Sequence, residues 1–329
     1  MQRKSLLLPV LIAISLMFGV TAGAQSNFSA LPVLSNLAFG WSSMSGVDPT
    51  LNMLTAFAPT MVGLSEAGYR NGVEGVKGRM TFGDLKIDNN FESAITTVGP
   101  GLFRLGHYGY NSNTAAIPNL GLPPGVLTHT RGDAIELAYA QTIHNTTIGL
   151  SVVPQDSTSI QAVGGGTTLI AGEAKTDFGG RIGFIQRLPH GVRVGADYSY
   201  QKGTATADTL PPFPPTTSSD EYITRAATYG ASWQARPDTI VYGSYQNLLA
   251  TGHTFGSRNA NQLWFGTQHD LSKSVAIRLN YLDGGQNYSV QWKTKVGLLN
   301  VAYTHKALRN AEEILGSGDA LFGALALAW

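Results

Sequence analysis

The stretch GSGDALFGALALAW, Gly316 to Trp329, ends the chain with ten residues that carry no charge. A soluble chain usually finishes in a frayed polar tail. Laid out as an extended strand, Leu321, Gly323, Leu325, Leu327 and Trp329 share one face, and Phe322 shares the other with four alanines. Ten residues are too few for a membrane-spanning helix, which needs about 20, but suit a spanning strand, which needs about 9–11. The stretch therefore reads as a strand with its larger apolar side chains in lipid and its small ones turned inward.

The same two-residue period recurs upstream. Val275, Ile277, Leu279 and Tyr281 alternate with Ala276, Arg278 and Asn280. Tyr288, Val290, Trp292 and Val296 alternate with Ser289, Gln291, Lys293 and Lys295, and Val192 to Tyr200 alternates about Arg193 and Asp197. Ile135, Leu137 and Tyr139 flank Glu136 and Ala138. This is strand periodicity, not the 3.6 of a helix. The polar set, Glu136, Arg193, Asp197, Arg278, Asn280, Gln291, Lys293 and Lys295, is expected to line a lumen. Such charges either set the selectivity of a pore or form a network that fills and stiffens it.

A soluble sandwich also alternates, so the connections carry the distinction. Short turns are expected near Gly99–Gly101, His144–Asn145, Pro189–His190, Arg236–Asp238, Asp270–Lys273 and Gly297. Longer connections are expected over 111–131, 154–167, 203–220, 251–259, 283–286 and 306–318. Alternating short and long connections are the habit of outer-membrane barrels. Counting back from Trp329 gives about fourteen strands, the first over Val73 to Phe82, with twelve to sixteen as the range. Even numbers are the rule for single-chain bacterial barrels. The fold class is thus an all-β, antiparallel transmembrane barrel.

Composition agrees. Charged residues make up 13% of the chain, about half the usual ~25%, while the hydrophobic share is an ordinary 43%. Arg3 and Lys4, an apolar run from Leu6 to Val20, and Ala22-Gly23-Ala24 form a signal-peptide pattern cleaved before Gln25. The mature balance is then 20 basic against 21 acidic residues, from 22 − 2, which argues against nucleic acid, whose binding needs clustered positive charge. With no cysteine, disulfides, thiolate metal sites and cysteine nucleophiles are excluded. The seven histidines show no His-x-x-x-His spacing, so no metal or cofactor is expected. No local motif marks an enzyme, although a hydrolase triad assembled across strands leaves no local sequence mark. Gly164-Gly165-Gly166 and GVEGVKG (Gly72 to Gly78) lack the strand-loop-helix setting of a phosphate cradle and read as loop or strand glycines. TLPPFPPTT (Thr209 to Thr217) reads as a stiff external loop, since proline cannot donate to a ladder.

Tyr198, Tyr200, Tyr242, Tyr245, Trp264, Tyr281, Tyr288, Trp292 and Tyr303 are expected at strand ends or on outward faces, as an interfacial girdle. Residues 25–72 are less regular. Leu51, Leu54, Phe57, Met61 and Leu64 make a helical stripe broken by Pro59, so the segment is a plug in the lumen, a leader, or two further strands.

Three stretches, GVRVGADYSYQKGT (Gly191 to Thr204), TYGASWQARPDTIVYGSYQN (Thr228 to Asn247) and LFGALALAW (Leu321 to Trp329), resemble the FadL-type long-chain fatty-acid transporters. Asp48-Pro49-Thr50 stands where members of that family carry Asn-Pro-Ala. The resemblance implies fourteen strands, an N-terminal hatch within the barrel, and passage of a small hydrophobic solute. The last strand also resembles the signal read by the outer-membrane assembly machinery, with Leu325, Leu327 and Trp329 at its alternate positions. The expected partners are outer-membrane lipids, that machinery and the solute, and the expected state is a monomer. The alternatives are a structural or adhesive barrel with a closed lumen and a barrel-embedded lipid hydrolase.

Overall fold

The computed structural model describes residues 70–82, 85–115, 127–212, 215–252, 256–282, 285–294, 297–305 and 318–328. Residues 25–69 of the candidate plug, together with Lys295 and Trp329, lie outside them. The described residues form fourteen strands: β1 (Gly72–Phe82), β2 (Leu85–Val98), β3 (Gly101–Ala115), β4 (Leu127–Ile143), β5 (Thr146–Gly164), β6 (Thr167–Arg187), β7 (Val192–Thr209), β8 (Thr217–Arg236), β9 (Thr239–Gly252), β10 (Gly256–Asp270), β11 (Val275–Leu282), β12 (Gly285–Lys293), β13 (Gly297–His305) and β14 (Gly318–Ala328). Each pairs antiparallel with its neighbours in the chain, and β14 returns to β1, with Gly72 opposite Ala328 and Phe82 opposite Gly318. Closure leaves no strand edge and gives the wall its ladder partners, the condition hydrocarbon imposes on a backbone.

The faces are inverted relative to a soluble protein. Leu105, Ile148, Leu150, Ile182, Phe184, Leu263, Phe265, Leu279 and Leu325 are exposed, whereas Arg104, Glu136, Asp197, Arg278, Gln291 and Asn300 are buried. An apolar exterior of this extent is an aggregation liability in water and matches a bilayer. The molecule is a transmembrane β-barrel.

One end carries Gly72, Ala328 and the short turns Gly99–Pro100, His144–Asn145, Leu188–Gly191, Pro237–Asp238 and Leu271–Ser274. At the other end the wall is uneven. β11, β12 and β13 have 8, 9 and 9 residues, whereas β5 to β8 have 19, 21, 18 and 20. A bilayer takes up about 9–11 residues of a strand, so β5 to β8 carry nearly as many residues beyond it. This corrects the expected long connections over 154–167 and 203–220. The first is a two-residue turn at Gly165 and Gly166, both at positive φ (+58° and +80°), as the favoured tight hairpin turn requires. The second is reduced to residues 210–216. The expected connections over 251–259 and 283–286 likewise shrink to 253–255 and 283–284. These segments stay in the sheet but lose their apolar alternation, because above the membrane neither face meets lipid.

The β5–β6 hairpin is offset from both its neighbours at one level. The β4–β5 register shifts between Ile135 and Leu137, and the β6–β7 register shifts between Thr176 and Phe178. Between β5 and β6 the register is the same on both sides of the irregularity, from Val152 opposite Gly180 to Ser157 opposite Lys175. An extra residue in one strand of a pair exchanges its two faces. Outward positions accordingly change from Ile148, Leu150 and Val152 to Ser159 and Gln161 on β5, and from Ile182 and Phe178 to Lys175 on β6. The apolar exterior stops where the bulges occur.

Tyr198, Tyr245, Tyr281, Tyr288, Trp292 and Tyr303 are exposed as expected, and Phe265 and Tyr281 stack at 4.9 Å between ring centres. Tyr242 is a correction: it is buried on the inner face, its hydroxyl donating to Asn280. The departure has one cause: aromatic content marks a strand, but only parity assigns the face.

Candidate functional site: the inner wall

The inner wall is built by parity, since a strand with lipid on one side must turn every second residue to the lumen. Three regions result. On β1 to β4 the inward residues are mainly apolar: Val76, Phe91, Ile95, Leu102, Ala134, Ala138 and Ala140 are all buried. Ile95, Leu102, Ala138 and Ala140 pack as one cluster. The ring of Phe91 meets Tyr108 at 4.4 Å.

At the margin of this patch begins a band of alternating charge. Arg104 on β3 donates from Nη2 to Glu136 Oε2 on β4 at 2.5 Å, and Tyr108 Oη donates to the same oxygen at 3.0 Å. The Arg104 guanidinium also lies 5.4 Å from the Phe91 ring centre. Ser151 on β5 is placed to donate to Glu136, and Arg181 on β6 attracts both Glu136 and Asp197 on β7. Asp197 faces Thr228 of β8 across the ladder. Arginine, glutamate, arginine and aspartate thus alternate over five strands.

The third region, on β9 to β13, replaces charge pairs with amides. Arg278 donates from Nε to Gln268 Oε1 at 2.7 Å and from Nη2 to Gln291 Oε1 at 2.6 Å. A second chain runs from Tyr242 to Asn280, from Asn280 to Asn287 at 2.8 Å, and from Asn287 to Thr304 at 2.8 Å. Buried polar side chains that answer one another in this way avoid the desolvation cost of an unmet donor or acceptor.

Of the residues expected in the lumen, Glu136, Asp197, Arg278 and Gln291 are buried on the inner face, while Arg193 and Asn280 are half-buried there. Position 293 continues the inner register of Ser289 and Gln291. Leu325 and Leu327 are exposed on the outer face. The chain brings Glu136 together with two residues the sequence reading missed, Arg104 and Arg181. Each sits between outward apolar neighbours, Phe103 and Leu105 or Gly180 and Ile182. A single charge flanked on both sides by apolar residues in a strand was the available signal.

No family model matches the sequence, and no curated protein matches it. Solved structures do match the fold. The Pseudomonas putida toluene transporter TodX superposes with a TM-score of 0.57 at 12% identity, covering 88% of this chain and 97% of that one. The Ralstonia pickettii toluene transporter TbuX gives 0.53 at 13% identity, covering 87% and 99%. A Pseudomonas aeruginosa FadL homologue gives 0.54 at 12% identity, covering 89% and 97%. The chain shares the fold of these barrels over nearly their whole length.

Proposed function

We propose that this chain is an outer-membrane barrel that binds or passes a small, uncharged, hydrophobic solute. The observation that carries the reading is the division of the inner wall. An apolar patch on β1 to β4 offers a surface for such a solute, and the neighbouring charges are engaged with one another. Where Arg104 and Glu136 neutralise each other beside the patch, the wall has little field with which to select ions, the opposite of a charged constriction. The shared fold with barrels described as toluene transporters supports the same direction. In this reading a signal peptide is removed before Gln25, the short-turn end faces the periplasm, and residues 25–72 plug the lumen. Leu325, Leu327 and Trp329 serve assembly, the barrel acts as a monomer, and no cofactor or catalysis is involved.

The test is uptake by liposomes containing the full chain, with toluene and benzoate compared. Toluene is expected to enter faster than in protein-free liposomes, and benzoate is not. Equal silence for both, with and without residues 25–72, would refute transport and favour a structural barrel with a closed lumen. That second reading draws on the extent to which the inner polar groups bond to each other.

A further inference from the structure

Parity leaves one part of the inner wall almost without side chains. Gly195 on β7 stands opposite Gly230 on β8, which stands opposite Ser244 on β9, and all three fall on the inner register. The row above them holds Asp197 and Thr228, and the row below, toward the short-turn end, holds Arg193, Ser232 and Tyr242. Ile185 on β6, fully buried, stands opposite Gly195 and bounds the row on that side. Neighbouring strands lie about 5 Å apart, and positions two residues apart along a strand are separated by about 7 Å. The recess over the three small residues therefore has the dimensions of one six-membered ring.

We propose that this recess binds a small hydrophobic solute carrying one neutral hydrogen-bond donor, such as a phenol, and that Asp197 accepts the bond. The proposal rests on the reading that the lumen takes an uncharged hydrophobic solute, and it narrows that class. Asp197 is only 8% exposed. Arg181 attracts it from β6 and Thr228 approaches it from β8, yet neither carboxylate oxygen accepts a hydrogen bond among the described residues. At the opposite rim the Ser232 hydroxyl, 3% exposed, has no partner among them either. Buried polar atoms in this condition are few in folded proteins, because each forfeits the bonds it made with water. The two unanswered groups flank the same pair of glycines. Asp197 lacks a donor rather than a counter-charge, since Arg181 already supplies positive charge. A neutral O–H completes the carboxylate without adding an ion to the wall. A cationic solute would meet Arg181, and an anionic one would meet Asp197. The ring of a phenol fits the side-chain-free floor while its hydroxyl reaches the rim. A site built to take such a hydroxyl discriminates against the analogue that lacks it.

The test is a fluorine NMR titration of the full chain in detergent with 4-fluorophenol, 4-fluoroanisole and 4-fluorotoluene, each corrected against empty micelles. The anisole keeps the ring and the oxygen but has no donor. The wild type is expected to bind the phenol about tenfold more tightly than the anisole, the scale of one hydrogen bond to a charged group. Asp197→Asn is expected to cut that preference severalfold while still binding the toluene, and Gly230→Leu to weaken all three by filling the floor. Heat-dependent gel mobility confirms that each variant folds. If neither does, the comparison of phenol with anisole on the wild type decides alone. Equal affinity for those two, or an undiminished preference in folded Asp197→Asn, overturns the proposal; with the toluene still bound, the broader reading of the lumen survives. Failure to bind any of the three overturns both.

Discussion

Gly203 on β7 shows how tightly single positions are set. A Cβ there would stand 2.2 Å from both the Lys175 carbonyl and Tyr222 Oη. Its absence lets Tyr222 lie across β7 and donate to that carbonyl on β6 at 3.1 Å. Gly203→Ala is expected to lower stability by about 1–3 kcal/mol, measured by urea unfolding in detergent. Trimming Tyr222 should not rescue it, because the carbonyl remains in the way. Arg104 and Glu136 invite a different experiment. Removing one partner of a buried ion pair costs about 3–5 kcal/mol, chiefly by stranding the other. Glu136→Ala should therefore be severe, and R104A/E136A should lose less than the sum of the two single variants in a double-mutant cycle. Glu136 was legible from its place between Ile135 and Leu137. The partnership was not, because Arg104 lies 32 residues away and the pairing depends on the β3–β4 register.

Among the elements, the β5–β6 hairpin carries the clearest prediction. Its two outer registers each contain one extra residue at the same level, while the register between β5 and β6 is the same on both sides of that level. Deleting Asp177 alone removes one bulge but slips β6 against β5 beyond that point. Deleting Pro154 and Asp177 together removes both bulges and keeps the hairpin in register. The single deletions are expected to reduce the folded fraction in a heat-dependent gel shift, and the double deletion to restore much of it. No such device is visible in an isolated sequence, since an added residue interrupts the alternation and resembles the start of a loop. That is why 154–167 reads as a connection although its residues are in strands. The turns were easier, being marked by proline, asparagine and glycine. At Pro237–Asp238 the Thr239 hydroxyl donates to Asp238 at 2.8 Å and, as the main cause, holds that carboxyl below the usual aspartate range. The associated stabilisation is present above the ordinary aspartate pKa and fades as pH falls through the depressed one. Carboxyl chemical shifts of Asp238, followed by NMR against pH, should report a midpoint below that of a free aspartate, and Thr239→Ala should raise it.

For the molecule as a whole, parity of the apolar residues was enough to identify a closed membrane wall, because lipid enforces a strict rule on every strand crossing it. The height of the wall was not legible, since above the bilayer that rule lapses. The fold therefore predicts two regimes of tolerance. Charged substitutions at Leu150 or Ile182, exposed on the lipid face, should cost about 2–4 kcal/mol near the midplane. The same changes at Ser159 or Gln161, exposed beyond the bulges, should cost little, as urea titrations of the two sets would register.

The tall side of the wall also provides a topological ruler. The chain contains no cysteine, so a single introduced thiol is the only one a labelling reagent can find. Placed at Gln161, near the crest of β5, it should react with a membrane-impermeant maleimide on intact cells. Placed at Ser272, in the turn between β10 and β11, it should react only after the envelope is opened. The depth at which reactivity disappears, read position by position down β5 or β6, would then give the thickness of membrane the barrel occupies on that side.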